Sequence, residues 1–275
     1  MTATITRDLP LADYLRLPGV HFSSLKWMDT SALHYHRAAT EAKAPTPAMV
    51  LGSITHAAIL TPGDPVGVAV YDGKRRAGKE WDAFEQANGH LAIVRRDELE
   101  TSRAMRAAAL ANKHARALLS DGEAEVTIQW TEHGLNCRAR VDWLRPNGLV
   151  EVKTTRSIHP RAFASECAKR AYHVQLALYY RALNAAGIAQ EWLPHVIAVE
   201  NVAPFDVAVY QVGFDTIEAG ERKADEWLRA VAACVKADEW PGVGGGEVLE
   251  LKLPNWALSD GLPDVDMDSI GEMVT

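Results

Sequence analysis

The stretch Arg140–Ile158, RVDWLRPNGLVEVKTTRSI, sets two carboxylates and an ammonium, Asp142, Glu151 and Lys153, among Val, Leu and Trp. Each costs free energy to desolvate unless it is paired or binds an ion. The runs on either side of RPNG are β-branched or alternating, so they read as two strands joined by a turn. Side chains alternate along a strand, which puts Glu151 and Lys153 on one face and Val150, Val152 and Thr154 on the other. Pairing across that hairpin brings Asp142 and Glu151 within reach of one cation.

Outward from this pair, EAEVTIQW adds a preceding strand and makes a three-stranded antiparallel meander from Glu123 to Lys153. Upstream, HFSSLKWMDTSALHYHRA reads as two short helical stretches, the first capped by Ser23 or Ser24 and the second starting at Ser31. A helix is predicted over about 48–60, ended by Thr61 and Pro62. Mixed signals follow: strands VGVAVY and LAIV, a basic turn DGKRRAGK and an amphipathic EWDAFEQANG. The spacing of Leu99, Met105, Leu110, Leu118 and Leu119 then predicts one long helix over 96–120.

Downstream, Pro160 opens a helix that closes at Gly187, followed by strands HVIAVEN and DVAVYQVG and a helix over 214–237. This order predicts an α/β (α+β) sandwich, a central mixed sheet flanked by helices. One domain is expected over 1–258, helical to about 120 with a catalytic core over about 121–240. Residues 259–275, acidic and poor in large apolar groups, are expected to form a mobile tail.

The bulk composition narrows the function. At 275 residues and 48% hydrophobic content the chain can bury a full core, and its formal net charge of −7 opposes general adhesion to nucleic acid. Any polyanion site must be local. Cys137, Cys167 and Cys234 are too few and too scattered for a disulfide framework or a CxxC metal pair, which points to a reducing setting. No apolar run reaches the length of a leader or a membrane span, so a cytoplasmic protein without membrane contact is expected.

Hard carboxylate ligands at a strand end suit Mg²⁺ or Mn²⁺. A neighbouring lysine can hold or help deprotonate a bound water and offset phosphate charge, so the set fits metal-assisted phosphodiester hydrolysis. The plainer account is a solvated Glu–Lys pair worth about 0–1 kcal/mol.

More of the chain joins the pattern. HFSSLKWMDTSALHYHRA, LGSITHAAILTP, RVDWL, LVEVKTT and AYHVQLALYYRAL, in that order and spacing, resemble the PD-(D/E)XK nucleases, in particular the exonuclease VIII (RecE-type) branch. The resemblance implies metal ligation by His56, Asp142, Glu151 and the Val152 carbonyl, with Lys153 as catalytic lysine and Gln175 near the attacking water or the DNA backbone. It also matches Glu125, rather than Glu123, to an acidic residue beside the metal. Tyr179 lies one turn beyond Gln175, where it serves either DNA or the core, and Tyr172 and His173 flank the site. The literal Pro before Asp142 is absent, and three cysteines cannot supply a four-thiolate iron–sulfur cluster.

For DNA contact, Lys74, Arg75, Arg76 and Lys79 gather beside Trp81, and Arg161, Lys169 and Arg170 follow the motif strand. The same cluster also fits a solvated basic loop. The resemblance further implies a ring-shaped homo-oligomer, trimer or tetramer, degrading linear duplex DNA from its ends, usually 5′ to 3′, with a RecT-type annealing protein as partner. Two alternatives stay open: an endonuclease or single-strand-preferring nuclease on the same core, and a catalytically silent DNA-binding scaffold.

Overall fold

The structure is a computed structural model that describes residues 3–41, 44–61, 67–146, 148–188 and 193–254. The expected tail at 259–275 lies outside the described residues, as does Asn147 of the RPNG turn.

A six-stranded sheet organises the molecule. Its strands are β1 (Thr4–Thr6), β4 (Glu123–Glu132), β5 (Leu135–Arg145), β6 (Gly148–Thr155), β7 (His195–Glu200) and β8 (Val207–Gln211), adjacent in that order. All neighbours are antiparallel except β6 and β7, which are parallel and joined by a crossover through two helices. A separate parallel pair, β2 (Val68–Tyr71) and β3 (Ala92–Arg95), encloses α5 (Lys79–Asn88).

Helices cover both faces. On one, α9 (Tyr172–Ala185) and α10 (Phe214–Ala237) pack on β4 and β5 with Phe163 of α8 (Pro160–Lys169). Around them sit the short α1 (Leu11–Arg16) and α2 (Phe22–Leu25), a 3₁₀ turn over Lys26–Asp29, and α3 (Ala32–Thr40). On the other face, Ile59 and Leu60 of α4 (Pro47–Leu60), Met105 and Ala109 of α6 (Arg96–Ala111) and Ala115 of α7 (Lys113–Leu118) cover Val150, Val152, Ile197 and Val199. Burial on both faces explains why β6 reads GLVEV rather than a clean alternation. α9 and α10 approach so closely at Gly220 that a Cβ there would lie 2.3 Å from the His173 carbonyl oxygen.

The expected mixed sheet flanked by helices is thus the observed architecture, with two corrections. The helix predicted over 96–120 breaks at Asn112, whose side chain accepts from the backbone N–H groups of His114 and Ala115 and donates to the Val207 carbonyl. An asparagine that caps a new helix competes with continuation of the old one. The helix predicted over 160–187 breaks at Ala171, which is left-handed with φ 55°. At the start of the chain, Ser31 caps α3 as expected, whereas Ser23 and Ser24 sit inside α2. No helix among the described residues is long and apolar enough to cross a membrane.

Candidate active site

The register of the meander decides the site. β5 and β6 pair Trp143 with Val150, Leu144 with Leu149 and Arg145 with Gly148, so the next step would oppose Asp142 and Glu151. The ladder ends there, and the Asp142 Oδ2 takes the Val152 N–H at 2.9 Å in its place. On the other side, β4 pairs Ala124 with Trp143 and Val126 with Val141, which sets Glu125 opposite Asp142. Glu125 has φ 56°, a left-handed backbone that costs a non-glycine residue about 1–3 kcal/mol and recurs at functional positions.

Three acidic residues therefore line up across three strands. His56, from α4, brings its Nδ1 to 3.4 Å from Asp142 Oδ2 and lies beside the Val152 backbone. From α9, Gln175 donates through Nε2 to Glu151 Oε1 at 2.8 Å and to the Tyr179 hydroxyl at 2.7 Å, while its Oε1 accepts from Lys153 Nζ at 2.9 Å. Lys153 Nζ also donates to Glu151 Oε1 and sits 4.6 Å from the centre of the Tyr172 ring. Glu151 Oε2, by contrast, is buried with no N–H or hydroxyl donor, its carboxyl meeting only that of Asp142 on this side.

Burial dominates the electrostatics. Glu151 is 1% exposed and Asp142 8% exposed, and desolvation pushes both carboxyls up to about 7 against the pull of Lys153. Burial also pulls Lys153 down, yet the charges of Glu151 and Asp142 outweigh it and raise the ammonium above its ordinary range. His56 is lowered by burial and by Lys153. An orphaned carboxylate oxygen, two carboxyls that resist ionisation, an imidazole and a backbone carbonyl form an oxygen-rich donor set short of positive charge, which fits a hard divalent cation.

The other expected residues fall elsewhere or in altered roles. Glu125 is tied to Arg140 Nε by an ion pair and remains within electrostatic range of Asp142 and His56. Tyr179 is 6% exposed, so its hydroxyl holds Gln175 in place and is closed to DNA. Arg76 departs from the expected phosphate contact: its guanidinium grips Glu98 at 2.8 and 2.5 Å and lies over Trp81 at 5.8 Å, so its charge is spent inside the fold. Lys74 and Arg75 are exposed on the β2–α5 loop, Lys79 is exposed at the start of α5, and Arg161 is exposed on α8.

Two residues were not legible from the pattern. Arg140 anchors Glu125 and donates to the Leu9 carbonyl at 2.7 Å, and only its place two residues before Asp142 could have drawn notice. Lys26, in the 3₁₀ turn, is lowered by burial, Arg170 and Lys153, which puts a further cation beside the site. Nothing in SSLKW marks it.

Among the described residues, one group of three His, Cys, Asp or Glu has all its ligand atoms within 4.8 Å of one another: Glu132, His133 and Asp225. It is not the expected set, and His56, Asp142 and Glu151 do not close to that spacing. Arg181 fills the tighter group, bonding Glu132, reaching Glu221 at 2.6 Å and lying 3.7 Å from Asp225. A guanidinium already supplies the charge a cation would bring there, so proximity of ligand atoms does not make that group the metal site.

A mixed sheet that presents paired carboxylates and a lysine where two strands part, with helices on both faces, defines the PD-(D/E)XK nuclease class. Residues 21–251 match the family described as a PDDEXK-like domain of unknown function (DUF3799), and the chain belongs to that family. A solved structure from Eubacterium rectale, provisionally described as an exonuclease, is similar in fold, with a TM-score of 0.63 at 13% identity over 94% of this chain and 100% of that one. No curated protein sequence matches the chain.

Proposed function

We propose that the protein is a metal-dependent exodeoxyribonuclease that hydrolyses phosphodiester bonds at the ends of linear duplex DNA. The observation that carries this reading is the buried Asp142–Glu151 pair, with a carboxylate oxygen that receives no donor, beside the half-buried Lys153. Asp142, Glu151, His56 and the Val152 carbonyl would hold the cation, Mg²⁺ with Mn²⁺ able to replace it. Such a cation, when bound, neutralises charge at the phosphoryl group and lowers the pKa of a water.

The chain's own groups supply the rest. Lys153 keeps its proton, so it acts as a fixed positive charge for the oxygens that gain charge in the transition state. Gln175, clamped between Lys153, Glu151 and Tyr179, offers an amide that cannot rotate freely and can orient the attacking water. Lys26 and Arg170 extend positive potential beyond the site, and the exposed Lys74, Arg75, Lys79 and Arg161 are the proposed backbone contacts farther along the duplex. The resemblance to the exonuclease VIII branch supports 5′ to 3′ polarity, a ring-shaped homo-oligomer, and delivery of the 3′ strand to a RecT-type annealing protein.

The test compares linear with covalently closed duplex, each with Mg²⁺ or EDTA, for wild type and Lys153→Ala. Loss of only the linear substrate, only with Mg²⁺ and only by wild type, is expected. Nicking of the closed circle would overturn the exonuclease assignment, and equal cutting by Lys153→Ala would overturn the mechanism.

A further inference from the structure

A concavity of about 460 Å³ opens between α8, α9, β8 and the start of α10, next to the carboxylate cluster but using none of its ligands. Its walls are largely apolar. Phe163 and Tyr210 stack within it, ring centres 5.0 Å apart and planes 19° from parallel, and Leu176 closes its base. His173, Thr216 and, at the α10 end, the carboxylate of Asp215 add polar groups to the lining.

Tyr172 joins this space to the active site. Its ring lines the concavity and also lies under the Lys153 ammonium, 4.6 Å from the ring centre. Around that junction lie three cations, Lys153, the half-buried Lys26 and Arg170, the last paired through its Nε with Glu166 at 2.7 Å. An apolar aromatic slot bordered by cations complements one chemical unit well: a base with its neighbouring phosphate.

We propose that the concavity receives an unstacked nucleobase of the strand being cut, while the adjoining phosphate lies among Lys153, Lys26 and Arg170. This rests on the nuclease reading above and deepens it by naming the substrate feature that is recognised. The volume lies within the range of about 300–1,000 Å³ common to small-ligand pockets. Aromatic walls accept the π-face of any base, so the site is tolerant of sequence. The enzyme accordingly prefers ends that are frayed or unpaired to ends whose last bases stay stacked.

The experiment uses a labelled duplex with three unpaired terminal nucleotides, an abasic site placed at each in turn, and the full-length protein at fixed salt. Binding is read by anisotropy in EDTA and degradation in Mg²⁺. Wild type is expected to lose about tenfold in affinity at one abasic position. Ala168→Trp, whose exposed alanine lines the concavity, is expected to bind the intact end about tenfold more weakly and to ignore the abasic site. Ala164→Trp, one turn earlier on α8, repeats the block from a second position in case the first variant folds poorly. Cutting by wild type with no sensitivity to any abasic position would overturn the base site and leave the nuclease reading standing. Base-sensitive binding without metal-dependent cutting would do the reverse, and failure to bind or cut any DNA would overturn both.

Discussion

Two clusters of this molecule contain the same ingredients and use them in opposite ways. At one, where β5 and β6 part, His56, Asp142 and Glu151 meet Lys153. At the other, on the β4–β5 turn against α10, His133, Glu132 and Asp225 meet Arg181. The second is saturated: Glu132 accepts from the Trp130 indole at 2.9 Å and from Arg181, and Asp225 accepts from Arg229 at 2.6 Å with His133 at 2.9 Å. The Arg229 hydrogen bond and its neighbours hold the Asp225 carboxyl below its ordinary range. In the first cluster burial drives both carboxyls up, and one Glu151 oxygen receives no donor. On the proposed function, the difference teaches that the cation is drawn to carboxylates the fold leaves unsatisfied and not to the tightest spacing.

The largest expected effect separates the clusters by activity. Lys153→Ala and Glu151→Gln should each lower the rate of DNA hydrolysis by about 10²–10³-fold or more, the magnitude of losing one preorganised electrostatic group, as measured by release of nucleotides from linear duplex. Glu132→Gln should leave that rate within about threefold, and an equal loss there would erase the distinction.

Stability should separate them in the other direction. Arg181→Ala strands partly buried carboxylates and should cost about 2–4 kcal/mol, read by denaturant unfolding. Glu151→Gln removes a carboxylate that burial disfavours but also the anion paired with Lys153, so the two effects offset and the stability of the metal-free protein at pH 8 should change by less than about 1 kcal/mol. A loss as large as that of Arg181→Ala would mean that the two clusters are held together in the same way.

The pH dependence follows from the same pair. Asp142 and Glu151 titrate higher folded than unfolded, so between about pH 4 and 7 the unfolded chain holds fewer protons than the native one. These two groups therefore make metal-free stability fall as pH rises through that window. Added Mg²⁺ or Mn²⁺ should raise the Tm more at pH 8 than at pH 5, and a shift that shrinks with pH would contradict the linkage. Smallest of all, Tyr179→Phe should lower the rate only about two- to fivefold, because it loosens Gln175 without touching substrate.

The sequence carried much of the first cluster and almost nothing of the second. Period-two alternation put Glu151 and Lys153 on one face, and the short RPNG turn set Asp142 against Glu151, both local facts. His56 and Gln175 needed the wider resemblance, since a histidine on an alanine-rich helix carries no mark of its own. The Glu132–His133–Arg181–Asp225 network joins residues up to 93 positions apart, on elements whose packing no short window reports. The helix breaks at Asn112 and Ala171 were hidden for a related reason: helical spacing continues through both, and only the Val207 carbonyl bound by Asn112 and the left-handed backbone at Ala171 end it. Arg76 looked like one of four surface cations because its partner, Glu98, lies 22 residues on.

The most direct test of the central claim is Mn²⁺ binding, measured by electron paramagnetic resonance on wild type, Glu151→Gln and Glu132→Gln at pH 8. Unsatisfied carboxylates as the cation site predict binding by wild type and Glu132→Gln and loss of it in Glu151→Gln. Retention by Glu151→Gln with loss in Glu132→Gln would place the cation in the other cluster and contradict the account.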